Sequence, residues 1–87
     1  MTKAYVYSKK QCPFCIKAKQ LLDKEKIEYD EYEVGVNGLT KQQIQTIVDK
    51  MGLNVKIKTV PQIFFFEEGE GLQYIGGFTE LQKHLYK

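Results

Sequence analysis

Apolar positions along the chain fall into stretches of two different spacings. Residues 3 to 7, KAYVY, are short, aromatic and β-branched, and predict a strand. Cys15, Ala18 and Leu22 then recur at helical spacing and predict a helix running to about Lys26. Residues 28 to 34, EYDEYEV, predict a second strand, and the stretch from Val34-Gly35 through Gly38 a loop. Thr40 opens a second helix: Thr40-x-x-Gln43 fits a capping box, and Ile44, Ile47, Val48 and Met51 form an i, i+3, i+4, i+7 stripe that Gly52 stops. Residues 62 to 66, QIFFF, predict a fully buried strand. EEGEG then turns the chain, and LQYI returns as the other arm of a hairpin until Gly76-Gly77 breaks it. Thr79-x-x-Gln82 fits a second capping box and predicts a last short helix with Leu81 and Leu85 inward.

The predicted order is β-α-β-α-β-β-α. Strands separated by a helix argue for parallel pairing, and the final tight turn argues for an antiparallel hairpin. The expectation is an α/β fold with a central mixed four-stranded sheet flanked by helices. With 87 residues and no linker, repeat or low-complexity segment, residues 1–87 read as a single domain.

Composition changes this picture little. The chain is 43% hydrophobic and 28% charged, which fits a globular domain rather than a disordered one. A net charge of +2 is too small to argue for nucleic acid. The N-terminal MTKAYVYSKK has no apolar stretch of the signal-peptide kind, and Ile63 to Phe66 is far too short to span a bilayer. These features predict a cytoplasmic protein that contacts no membrane, and a monomer is the expected state. The distribution of charge says more. Residues 1 to 20 hold Lys3, Lys9, Lys10, Lys17 and Lys19 and no acid, and every one of the 13 cations is lysine. Any bound anion is therefore held by point charges and backbone N–H groups rather than by a guanidinium fork.

The two cysteines stand together in SKKQCPFCIKAKQ, at Cys12 and Cys15. A structural staple is a poor reading, because cytosolic disulfides are rare and so short a loop removes little entropy from the unfolded chain. A zinc site within one chain needs about four ligands, and the sequence offers the two thiols and His84, which reads as a partly exposed residue of the last helix. An iron–sulfur cluster shared by two chains, each giving Cys12, stays open. A redox centre fits best, since C-x-x-C beside a βαβ pattern is the arrangement of thioredoxin-like exchange sites. Cys12 falls at the predicted start of the first helix, where free N–H groups favour a thiolate, and Pro13 suits the first helical turn. Lys9, Lys10, Lys17 and Lys19 should depress its pKa further and make it the nucleophile. Cys15, one turn inward, is the expected resolving thiol, with an outside thiol as the alternative.

These residues resemble the glutaredoxin family over nearly the whole chain. Cys12-Pro13-Phe14-Cys15 is similar to the family's C-P-Y-C, Lys9 lies three residues before the first cysteine, Thr59-Val60-Pro61 matches T-V-P, and Gly76-Gly77-Phe78-Thr79 matches G-G-x-[TSD]. Thioredoxins resemble the chain less: their W-C-G-P-C site needs a tryptophan, and this sequence has none. The resemblance implies a thioredoxin fold, a cis Val60–Pro61 bond, and glutathione as co-substrate with no metal. It implies a glutathione site formed by Lys9, Phe14, Thr59, Val60, Pro61, Gly77, Phe78, Thr79 and Glu80. Within it the backbone N–H groups of Phe78 and Thr79 would take the γ-glutamyl carboxylate and Glu80 the amine. Lys9, helped by Lys58, would take the glycyl carboxylate. Phe14 lacks the hydroxyl of the family's tyrosine, and Lys58 stands where many relatives carry arginine. The implied substrates are protein disulfides and glutathione mixed disulfides, ribonucleotide reductase among them. A thioredoxin-like electron donor recharged by a flavoprotein reductase is the nearest rival reading, and an iron–sulfur carrier using Cys12 is the rival of another class.

Overall fold

The structure, a computed structural model, describes residues 2–86. Its elements are β1 (Thr2–Ser8), α1 (Pro13–Lys24), β2 (Glu28–Glu33), α2 (Lys41–Lys50), β3 (Gln62–Glu67), β4 (Gly71–Gly76) and α3 (Phe78–Leu85). The order and type of elements are those the sequence predicts. The sheet runs β2-β1-β3-β4. β1 pairs parallel with β2 and antiparallel with β3, and β3 pairs antiparallel with β4. A helix crossover separates the parallel pair, whereas the β3–β4 pair is joined by a short turn, as each kind of pairing requires.

Period-two alternation sends the two faces of the sheet to different helices. Ala4 and Val6 of β1 and Ile63 and Phe65 of β3 pack with Ala18, Leu21 and Leu22 of α1 and Leu81 of α3. On the other face, Tyr5, Tyr7 and Phe64 pack with Ile44 and Val48 of α2 and with Ile57. The central strands β1 and β3 are thus covered on both faces. β3 is buried only from Gln62 to Phe65: Phe66 is exposed, because the sheet ends beyond it without a helix above. A side-chain capping box starts α2, with Gln43 N–H donating to Thr40 Oγ1 at 3.1 Å and Thr40 N–H to Gln43 Oε1 at 2.9 Å.

Two boundaries differ from the sequence reading. α1 ends at Lys24 rather than about Lys26, because Lys26 takes a positive φ of 58° to turn the chain into β2. The last helix is capped at Gly77, not Thr79. Glu80 Oε1 accepts from Gly77 N–H at 2.8 Å, so the reciprocal residue is Glu80 and Thr79 already lies inside the helix. Glycine is needed just upstream: Gly76 has φ +117°, and a Cβ there would come within 2.9 Å of Glu80 Cγ.

Candidate active site

Cys12 is the N-cap of α1 and Pro13 its first helical residue. The link from β1 to α1 is short, so the sulfur of Cys12 is delivered to the end of the sheet beside the Thr59–Pro61 segment. Cys12 and Cys15 are joined by a disulfide, with Cα atoms 5.2 Å apart. Cys15 N–H donates to Cys12 Sγ at 3.1 Å, so one of the unpaired N–H groups of the helix start already faces the sulfur that would carry thiolate charge. Cys15 is almost fully buried and Cys12 partly exposed, which gives the two thiols the unequal access the sequence predicts. Cys12 Sγ lies 3.8 Å from the carbonyl oxygen of Val60, and the Val60–Pro61 bond is cis.

The four lysines expected to act on Cys12 are not equivalent. Lys19 is paired with Glu31, Nζ to Oε2 at 2.9 Å, and Lys17 lies over the Phe14 ring at 5.3 Å from its centroid. Lys9 and Lys10 remain exposed on the loop that leads into Cys12. The positive field at the sulfur is therefore that of the helix start with Lys9 and Lys10, and Lys19 adds little.

Three cavities lie near Cys12, two sharing Thr59 and Val60 and one lined by the cysteines themselves. One, of about 270 Å³, is lined by Phe14, Thr59, Val60, Pro61, Gly77, Phe78, Thr79 and Glu80. These eight residues come from three separate segments, and they are eight of the nine ligand-binding positions named from sequence. The rings of Phe14 and Phe78 face each other at 6.1 Å. The ninth position, Lys9, lies around the corner in a smaller cavity of about 130 Å³, with Lys58, Thr59, Val60 and a residue that sequence reasoning missed, Lys41. Lys41 is the first residue of α2, and nothing in its spacing shows that the helix start faces the cysteines. His84 packs edge-on against Phe65 at 5.3 Å.

A third cavity, of about 380 Å³, opens on the other flank of the disulfide and includes Ser8, Lys9, Lys10, Cys15, Lys19 and Glu31. Parallel pairing of Val6 with Glu31 puts Glu31 on the same face as Ser8, and Ser8 Oγ donates to Glu31 Oε2 at 2.8 Å. Burial opposes ionisation of Glu31, but hydrogen bonds from Lys19 and Ser8, with the Lys19 charge, outweigh it and hold its pKa below the usual value. A depressed carboxylate contributes stability that is full above its unfolded pKa, about 4.3, and is lost as pH falls through the folded value. Glu31→Gln is therefore expected to destabilise at pH 7 by less than about 1 kcal/mol, because the pair is partly exposed. The difference in urea midpoint should close as pH falls through the folded pKa of Glu31; a difference that persists below it would show that a packing change, rather than the pairing, is its source.

Known proteins give this constellation a family. The glutaredoxin family profile matches residues 4–69. The chain is 38% identical over 76 residues to glutaredoxin 1 of Rickettsia prowazekii, covering 87% of this chain and 70% of that protein. It spans 53% to 70% of the length of the four rickettsial glutaredoxins 1 that it matches. Among solved structures, glutaredoxin 1 from Francisella tularensis, complexed with cacodylate, superposes with a TM-score of 0.64 at 33% identity and full coverage of both chains. The buckwheat glutaredoxin–glutathione complex superposes with a TM-score of 0.62 at 25% identity over 97% of this chain and 69% of that one. With a matching profile over most of its length, a thioredoxin fold and a Cys12–Cys15 pair at a helix start, the chain belongs to the glutaredoxin family of thiol–disulfide oxidoreductases.

Proposed function

We propose that this protein reduces protein disulfides and glutathione mixed disulfides at the expense of glutathione, as a monomer in the cytosol. The observation that carries the reading is the matched pair of ends around Cys12. On one side the cavity between Phe14 and Glu80 ends at the start of α3, and on the other Lys9, Lys41 and Lys58 line a common cavity. Glutathione has carboxylates at both ends and a sulfur between. The free N–H groups of Phe78 and Thr79, in the first turn of α3, would take the γ-glutamyl carboxylate. Glu80 gives one oxygen to Gly77 N–H, and its other oxygen would accept from the ligand's amine. The glycyl carboxylate would fall to the lysines. The cysteinyl segment would pair with the backbone of Val60, as an added strand does.

The exchange then runs as follows. The Cys12 thiolate attacks the glutathione sulfur of a mixed disulfide, the S–S bond breaks, and the protein thiolate leaves and takes up a proton. A second glutathione thiolate attacks the Cys12–glutathione disulfide, releasing glutathione disulfide and the Cys12 thiolate. With a protein disulfide, Cys12 forms the mixed disulfide with the substrate and Cys15 displaces it, leaving the Cys12–Cys15 bond. Two glutathione molecules, in succession, restore both thiols.

Lys9→Ala, Lys41→Ala and Lys58→Ala are each expected to raise the KM for glutathione by up to about five-fold, with thermal stability nearly unchanged. The effect should shrink at high salt, because exposed charges are screened. An unchanged KM in all three variants would take the lysines out of the site. Faster turnover with a flavoprotein thioredoxin reductase than with glutathione would replace glutathione as the reductant.

A further inference from the structure

The connection from α2 to β3 carries Lys58, Thr59 and Val60, yet it has little backbone pairing of its own. Leu53 N–H reaches Val48 O, and beyond it, among the described residues, no backbone-to-backbone hydrogen bond involves residues 54 to 60. Two glutamine side chains supply what is missing. Gln45, on α2, donates from Nε2 to Val55 O at 2.7 Å and accepts at Oε1 from Ile57 N–H at 2.8 Å. A second bond from Nε2 to Asp49 Oδ1, at 3.0 Å, holds the amide in that orientation, because both neighbours of Nε2 are acceptors and the neighbour of Oε1 is a donor. Gln62, at the start of β3 and buried, donates from Nε2 to Thr59 O at 2.8 Å. Its Oε1 accepts from Tyr74 Oη at 2.6 Å, and burial, with the Glu80 charge adding to it, holds the Tyr74 phenol above its ordinary pKa, so the donor keeps its proton. Between these two clamps, Ile57 is buried against Ile44, Val48 and Phe64.

The three fixed points are residues 55, 57 and 59, spaced like the alternate residues of a strand. Fixing them leaves Lys58 and Val60 to line the cavities beside Cys12. We propose that Gln45 and Gln62 are positioning residues: they hold an otherwise unpaired segment so that Lys58, Thr59 and Val60 select glutathione over smaller disulfides. The inference rests on the glutathione reading given above. Gln45 lines neither cavity and acts through Val55 and Ile57, whereas Gln62, outside the cavity between Phe14 and Glu80, also lines the lysine cavity beside Lys58 and Thr59.

The test compares two substrates made on one peptide thiol, its mixed disulfide with glutathione and its mixed disulfide with 2-mercaptoethanol. The second offers the same sulfur chemistry and nothing to fill the groove. Pre-reduced protein in single turnover gives a half-saturating concentration and a limiting rate for each. Gln45→Met and Gln62→Met keep side-chain length and remove the amide. Each is expected to raise the half-saturating concentration for the glutathione disulfide about three- to ten-fold, the cost of one or two neutral hydrogen bonds. The limiting rate and the mercaptoethanol reaction should change by less than about two-fold. Gln45→Asn keeps the amide on an arm one methylene short and is expected not to rescue. Tyr74→Phe, which frees one end of Gln62, is expected to shift the same constant by a smaller factor. An unchanged half-saturating concentration in both methionine variants overturns the inference. So does an equal loss on both substrates that tracks a fall in Tm, since that is a purely structural effect. A wild-type protein that does not distinguish the two substrates overturns the glutathione reading and this inference with it, whereas a wild-type preference that survives both substitutions overturns the inference alone.

Discussion

Cys12→Ser is expected to abolish all thiol–disulfide exchange, while Cys15→Ser is expected to divide the activity in two. Cys12 is the partly exposed sulfur at the start of α1, with the Cys15 N–H at 3.1 Å and the lysine-bearing loop before it. A serine hydroxyl at this position does not ionise near neutrality and cannot attack a disulfide, so no second route remains. Cys15 is buried behind it, and in the proposed reading its task is to displace a protein from the Cys12 mixed disulfide. In the same reading, glutathione in solution would do that job when the mixed disulfide is with glutathione itself. Cys15→Ser should therefore keep most of the reduction of glutathionylated peptides and lose reduction of intramolecular protein disulfides. The reading is checked with one glutathionylated peptide and one disulfide-bonded protein, each assayed with glutathione, glutathione reductase and NADPH. Residual activity of Cys12→Ser on either substrate, or equal loss of both activities in Cys15→Ser, would reverse the assignment of nucleophile and resolving thiol.

Phe64→Ala is expected to cost about 3 to 5 kcal/mol of stability. Phe64 is the largest side chain among the fully buried residues, and its ring sits edge-on to Tyr7 at 6.0 Å and to Tyr74 at 5.3 Å. Truncation opens a cavity between β3 and α2 that neither aromatic neighbour can fill, because both are held on their own strands. A chain of 87 residues has a total stability of about 4 to 13 kcal/mol, so one such cavity removes a large part of it. The fall in Tm should be about 12 °C or more. Phe64→Leu, which keeps most of the volume, should cost less than about half as much. Urea denaturation of the three proteins measures this directly. A loss below about 1 kcal/mol for alanine would mean that the α2 side of the sheet is not a packed core. Because Tyr74 also holds Gln62, the alanine variant should weaken binding in the groove along with stability.

Much of the fold was legible because its signals are local. The stripe of Ile44, Ile47, Val48 and Met51 and the Thr40–Gln43 box lie within one helix, and the structure has both where the sequence puts them. The boundary of α3 was misread because two capping signals overlap. Thr79-x-x-Gln82 and Gly77-x-x-Glu80 compete, and the choice depends on Gly76 adopting φ +117° so that Glu80 can fold back onto Gly77. Nothing in the residues from Gly76 to Gln82 states that angle. The burial of β3 was overstated at Phe66 for a related reason, since hydrophobicity marks what could be buried and only the extent of the helices decides what is.

By itself the sequence determined the element order and the unequal exposure of the two cysteines, and its resemblance to glutaredoxins named eight residues that the structure gathers around one cavity. The first two rest on residue chemistry or on spacing along a few turns of chain, and the third on short motifs shared with the family. Tertiary structure decided which charges act together. It gave Lys19 to Glu31 rather than to Cys12, and brought Lys41 beside Lys9 and Lys58. It also assigned Gln45 and Gln62 to a segment with no backbone partners. Except for Gln62 with Thr59, three residues away, those pairings join residues 10 to 49 positions apart. A side chain carries no mark of a distant partner, because a charge or an amide bonds to whatever the packed sheet and helices bring within about 3 Å of it.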